Sequence, residues 1–185
     1  MNARLYFVAA WLTLALGAAA QTSGSTNSTV FAMVTEGDRF IPQPARDKVV
    51  SIHSEKSSGA MVPDIWYVDY FDSTVPFKTT EVKFTAGQIS RITHPTHVSG
   101  WFTGTRPLDW KKVKIDSDRA LALALKDPDL KKLDLQATQF WLERTPTGST
   151  WKIRFWAKWP AGITDKYVSS RTGEILKTEG HWQKQ

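Results

Sequence analysis

There is no cysteine among the 185 residues of this chain. That excludes a disulfide framework, a thiolate metal site, a cysteine nucleophile and a lipid carried on a cysteine thiol. Without cross-links, the fold has to rest on its apolar core. Long apolar runs are nearly as scarce. The one that stands out, Leu5 to Leu16, is shorter than the roughly 20 residues a membrane-spanning helix needs. It follows Arg4 and precedes Ala18-Ala19-Ala20, the layout of an export leader. Residues 1–20 are therefore read as a signal peptide, with the mature chain starting near Gln21 and no stable membrane span after cleavage. Catalytic signatures are missing too: there is no Gly-x-Ser-x-Gly, no His-Glu-x-x-His and no phosphate-cradling glycine loop.

Tryptophan and positive charge are abundant. The chain has nine Trp, eight of them beyond the leader, and each large aromatic can bury about 150–250 Å². Net charge is −1 from Gln21 to Ile92 and +6 from Thr93 to Gln185. A basic second half favours anionic partners such as acidic glycans, envelope polymers or lipid headgroups, and it serves equally as a solvated surface. An exported chain with no nucleic-acid motif is not expected to bind nucleic acid.

A repeated pattern organises the rest. Trp66-Tyr67-Val68-Asp69-Tyr70 is followed by Val82 to Arg91 around Gly87, and Trp151-Lys152-Ile153-Arg154-Phe155 by Val168 to Lys177 around Gly173. Trp and Gly lie 21 residues apart in the first copy and 22 in the second. In the second copy, Asp116 or Ser117 can cap a helix over 117–126 built on alternating Ala and Leu. Strands are expected at about 134–144, Trp151 to Trp159 and Asp165 to Ser170. Arg171-Thr172-Gly173-Glu174 then turns into Ile175-Leu176-Lys177, with Gly173 at positive φ. The first copy follows the same order: a helix over Thr29 to Glu36 capped by Asn27 or Ser28, then strands at Val49 to Glu55, Trp66 to Asp72 and Thr79 to Phe84. The reading is thus α+β: two tandem αβββ units at 21–92 and 116–185, each a helix on an antiparallel sheet, with a joining of the two into one larger sheet left open. Residues 93–115, rich in turn residues with Trp101, Phe102 and Trp110, form a linker expected to pack on the sheet.

This order, with Trp-x-[Val/Ile]-x-[Tyr/Phe] and a closing [Ala/Thr]-Gly-[Gln/Glu]-Ile, resembles the PepSY family. The second copy matches through Ser117, Ala120, Ala124, Trp151, Ile153, Phe155, Thr172, Gly173 and Glu174. The first keeps Trp66, Val68, Tyr70, Gly87 and Ile89 but lacks the Ala-rich helix. The resemblance implies a compact α+β domain of an exported bacterial protein. It also implies a role in binding or restraining peptidases, with no catalytic residues and no cofactor.

Period-two alternation places Trp151, Ile153 and Phe155 inward and Lys152, Arg154, Trp156 and Lys158 outward. Tyr67 and Phe71 occupy matching positions in the first copy. These six are the candidate ligand-binding residues; a competing arrangement buries both faces of the strand. The functions that follow are a non-catalytic module binding a peptide or protein partner, a binder of anionic envelope polymer or glycan, or an enzyme of unfamiliar type around His94 and His97. His94, His97 and His181 are the candidate metal ligands, but a Pro-containing loop does not present two imidazoles as a helix would, so no metal is expected. Asp69 with Asp72, and Glu143 with Glu174, are the carboxylate pairs for acid–base chemistry, and neither has the geometry for it. The expected setting is the periplasm or the exterior.

Overall fold

The structure is a computed structural model that describes residues 29–95, 106–158 and 162–181. Helix α1 (Val30–Gly37) leads into strands β1 (Val49–Ser54), β2 (Ile65–Phe71), β3 (Thr79–Thr85) and β4 (Gln88–Thr93). Helix α2 (Ser117–Ala124) leads into β5 (Leu135–Thr145), β6 (Gly148–Ala157), β7 (Ile163–Ser169) and β8 (Ile175–His181). All eight strands form one sheet in the order β4-β3-β2-β1-β5-β6-β7-β8, and every pairing is antiparallel.

This corrects the expected pair of tandem helix-on-sheet αβββ units. The described residues form mostly a single eight-stranded antiparallel sheet carrying two α-helices of 8 residues each. Each stretch also holds one more strand than expected. Ala86 and Gly87, both at positive φ, make a two-residue reversal that pairs Thr85 with Gln88 and launches β4. Gly173, at φ 79°, turns β7 into β8. A Cβ on Gly173 would sit 2.7 Å from Leu123 Cδ1, a side-chain tip that can turn aside, so it is the positive φ that calls for glycine here. Strands β4 and β8 escaped the sequence reading because they are sheet edges, largely exposed, and lack an apolar row.

The two halves meet along β1 and β5. That ladder is short, pairing Ile52 with Leu142 and His53 with Trp141. Serine side chains extend it: Ser54 Oγ accepts from Phe140 N at 2.9 Å, and Ser57 Oγ accepts from Thr138 N at 2.8 Å. Both helices lie on one face, where alternate strand residues make one continuous core. Phe140 is its hinge, with ring centroids 5.2 Å from Trp66 and 6.3 Å from Trp151. Val68, Tyr70, Phe84, Ile153 and Phe155 surround them, all fully buried. Core-facing Lys166 is also buried and donates to Asp127 and, at 2.9 Å, to Thr178 Oγ1.

The helix N-termini converge. Asp116 caps α2 by accepting from Ser117 N at 2.6 Å, as its position in the sequence implies. It also accepts from Phe31 N at 3.2 Å, while Ser117 Oγ accepts from Val30 N at 3.3 Å. The α2 cap therefore serves α1 too, and one carboxylate meets two positive helix ends. The expected α1 caps Asn27 and Ser28 lie outside the described residues. Of the 93–115 stretch, Thr93 to Pro95 and Arg106 to Ile115 are described, and Thr93 ends β4 instead of opening a linker. Leu108 and Val113 are buried, Leu108 N donates to Val49 O at 2.7 Å, and Lys114 N donates to Ser170 O at 2.8 Å.

Candidate functional site

The face opposite the helices is built by the other half of each strand's alternation. Register places Arg91, Lys83, Tyr67, His53, Trp141, Lys152, Tyr167 and Lys177 side by side, one from each strand in sheet order. At about 4.8 Å per strand this row runs roughly 30 Å across the molecule. Its members contact one another. Lys83 Nζ lies 5.2 Å from the Tyr67 ring centre, and Tyr67 stacks on His53 at 4.7 Å and 9°. Lys152 lies between Trp141 and Tyr167 at 5.4 and 5.7 Å, and Lys177 lies 5.5 Å from Tyr167. A cation over a ring face at such distances contributes about 0.5–1 kcal/mol when exposed.

Carboxylates are interleaved with the row. Tyr67 Oη donates to Glu55 at 2.6 Å, with Lys83 3.6 Å from the same carboxylate. Tyr167 Oη donates to Glu179 at 2.7 Å, and Lys177 pairs with that group. Each half thus presents a Tyr-Lys-Glu trio. Burial, then the neighbouring glutamate, pushes both phenols above their ordinary range. Asp165, fully buried, receives a bidentate pair from Arg154 at 2.7 and 2.8 Å, with Lys152 at 3.3 Å. Burial pulls its carboxyl upward, but the Arg154 hydrogen bonds and the two cations outweigh this and hold it below the usual carboxylate range. Asp69 accepts from Ser51 Oγ at 2.6 Å and lies 3.6 Å from His53 Nδ1. Half-buried Glu143 is raised by burial, against the pull of Lys152 and His53.

Of the six candidate residues, Lys152, Arg154, Trp156, Tyr67 and Phe71 are half-buried and Lys158 is exposed. Lys152 and Arg154 converge on Asp165 instead of projecting as free cations. Trp156 lies 4.6 Å below Lys56, and Phe71 lies 5.9 Å from Lys48. Lys158 is joined through its backbone N–H to Asp134 O at 2.8 Å. Reading β6 alone missed His53, Trp141, Asp165, Tyr167, Lys177 and Glu179. Alternation within β1, β5 and β7 marks His53, Trp141, Asp165 and Tyr167 as facing away from the core, but their adjacency to one another and to Lys177 and Glu179 depends on strand order.

Asp69 and Asp72 are both buried; Asp69 lies on the side away from the helices and accepts from Ser51, whereas Asp72 accepts from Thr74 and Thr80. Burial raises Asp72, and those hydrogen bonds more than reverse it. His94 Nδ1 is 3.0 Å from Thr80 Oγ1. His97, Trp101, Phe102, Trp159 and the His181 side chain lie outside the described residues. Among the described residues, no group of three His, Asp or Glu could hold a metal ion, and no helix is long and apolar enough to cross a membrane.

The fold is similar to the crystal structure of a "putative lipoprotein" from Clostridium difficile 630, with a TM-score of 0.52 and 16% identity over 81% of this chain and 90% of that one. At that identity the likeness concerns the fold alone. No family model matches the chain, and no curated protein is significantly similar to it.

Proposed function

We propose that the protein is an exported, non-catalytic binding module that engages a peptide or protein partner in the cell envelope, in the manner of PepSY-like domains, with restraint of a peptidase as one use. The observation that carries this reading is the open face with its row of rings and cations across all eight strands. Cations and carboxylates alternate there: Glu55, Asp69, Glu143, Asp165 and Glu179 stand beside Lys83, Lys152, Arg154 and Lys177. A uniform polyanion would meet exposed Glu55 and half-buried Glu143 and Glu179, whereas a peptide of mixed charge with apolar side chains complements the mosaic. The sheet edges offer a second mode of contact. Exposed Ile92 lies on β4, and exposed Ile175 and Leu176 on β8, where a partner strand can add to the ladder.

An envelope setting is supported by the leader-like residues 1–20 and by the similar fold of a protein named as a lipoprotein. With no cysteine, this chain has no thiol on which to carry a lipid.

The test is chemical cross-linking of the mature protein in its native envelope extract, comparing wild type, the open-face variant Tyr67→Ser/Lys83→Glu and the variant Arg171→Gln. A defined partner captured by wild type and Arg171→Gln, and lost with the open-face variant, is the expected result. Equal capture by all three proteins, or capture of nothing, overturns the reading.

A further inference from the structure

A second polar surface lies away from the row, at the hairpin end of the second half. Among the described residues a cleft of about 720 Å³ opens there, within the roughly 300–1,000 Å³ of small-molecule sites. Three segments distant in sequence build it: the stretch around Leu108, the β5–β6 hairpin and the β7–β8 turn. They are tied together. Arg144 Nη1 donates to Pro107 O at 2.9 Å, and Ser170 N donates to Ser149 O at 3.2 Å.

Its chemistry is distinctive. Arg106, Lys112, Arg144 and Arg171 line it against two carboxylates, Asp109 and Glu174. Lys112 and Asp109 pair at 2.6 Å, which leaves three arginines against Glu174. Arg144 spends one N–H on Pro107 O and keeps the rest of its guanidinium donors. Hydroxyls form the remaining polar wall. Ser169 Oγ accepts from Arg171 N and Thr172 N at 3.4 and 3.2 Å, and Thr172 Oγ1 accepts from Glu174 N at 3.3 Å. With the oxygens held by the turn, each O–H is available to donate outward.

We propose that this cleft binds an acidic saccharide, a sugar unit bearing a carboxylate. The arginines match a carboxylate bidentately, and the turn hydroxyls add donors. Glu174 accepts from the sugar's hydroxyls and disfavours a ligand charged on every side. Among the described residues no aromatic ring lines the cleft, so charge and hydroxyl donors there supply the affinity in place of ring stacking. The cleft is also larger than an inorganic anion fills. This site is independent of the open-face reading, because its residues and its ligand both differ.

The experiment is calorimetric titration of the mature protein with a trimeric uronate, a neutral glucose trisaccharide and inorganic phosphate, at low and at physiological ionic strength. The uronate is expected to bind at least tenfold more tightly than either other probe and to weaken several-fold with salt. Arg106→Gln/Arg171→Gln is expected to weaken it tenfold or more with an unchanged thermal transition, since Arg106 and Arg171 are exposed. Tyr67→Ser/Lys83→Glu is expected to leave uronate affinity unchanged. Equal binding of the neutral sugar, a phosphate affinity matching the uronate, no uronate binding, or full affinity in the double variant would each overturn the proposal.

Discussion

The two halves of the sheet agree on the face that meets the helices and disagree on the face that does not. On the core side, Trp66, Val68 and Tyr70 of β2 correspond to Trp151, Ile153 and Phe155 of β6, all buried in one core with Phe140 between the two tryptophans. On the open side, Tyr67, Asp69 and Phe71 stand where β6 has Lys152, Arg154 and Trp156. The charge is inverted at the middle position: Asp69 is served by Ser51 and His53, whereas Arg154 grips Asp165. Packing density constrains the core row tightly. The open row is constrained only by mutual satisfaction of its own charges, so the halves differ there.

The comparison is most sharply tested at the two core tryptophans. Trp66→Ala and Trp151→Ala are each expected to cost about 3–5 kcal/mol, in one cooperative transition, because both indoles belong to one core. The Trp151 change should be the worse of the two. Its indole N–H donates to Ile115 O at 2.8 Å and ties the entrance of α2 to the sheet, whereas that of Trp66 reaches only Pro63 O, just before its own strand. Denaturant unfolding followed by fluorescence and circular dichroism measures this. Two separated transitions would mean that the halves are independent.

Asp165→Ala comes next, at about 2 kcal/mol, the scale of hydrogen bonds to a charged group, since it leaves the partly exposed Arg154 and Lys152 facing each other without their carboxylate. Its folded pKa is depressed, so its stabilisation is present above the unfolded value near 3.9 and is lost as pH falls through the folded value. Asp127, lowered by the Lys166 hydrogen bond, behaves likewise in the second half, and Asp72 in the first. Acid melts of wild type should therefore lose stability below about pH 4, and less steeply in Asp165→Ala. A variant that follows the wild-type acid curve unchanged removes this account.

The smallest effect is expected at the shared cap. Asp116→Ala should cost about 1–2 kcal/mol, because it uncaps α2 and frees Phe31 N of α1 together. Hydrogen exchange should report faster opening of both helices. Acceleration confined to α2 would show that the halves do not share the cap.

Local signals were legible in the residues. Asp116-Ser117 before an Ala-Leu run marked the start of α2, with either residue as cap, and Gly173 marked a positive-φ turn. The alternation Trp151, Ile153, Phe155 sorted β6 into inward and outward rows. The candidate site was legible only in part, since Lys152 and Arg154 could be placed outward but their commitment to Asp165 could not. Asp165 is ten or more residues away on the next strand, and nothing in its own neighbourhood names its partner.

The sequence by itself therefore determined which residues face inward, where the helices begin and where the chain reverses, because those depend on periods of a few residues and on single caps and turns. Only the tertiary structure decided that β1 lies beside β5, that the strands form one sheet instead of two helix-covered units, and that one residue from each strand lines up across the open face. Such pairings join positions some 90 residues apart along the chain. They are settled by packing of the whole core against the entropy of closing long loops, a balance that no local stretch encodes.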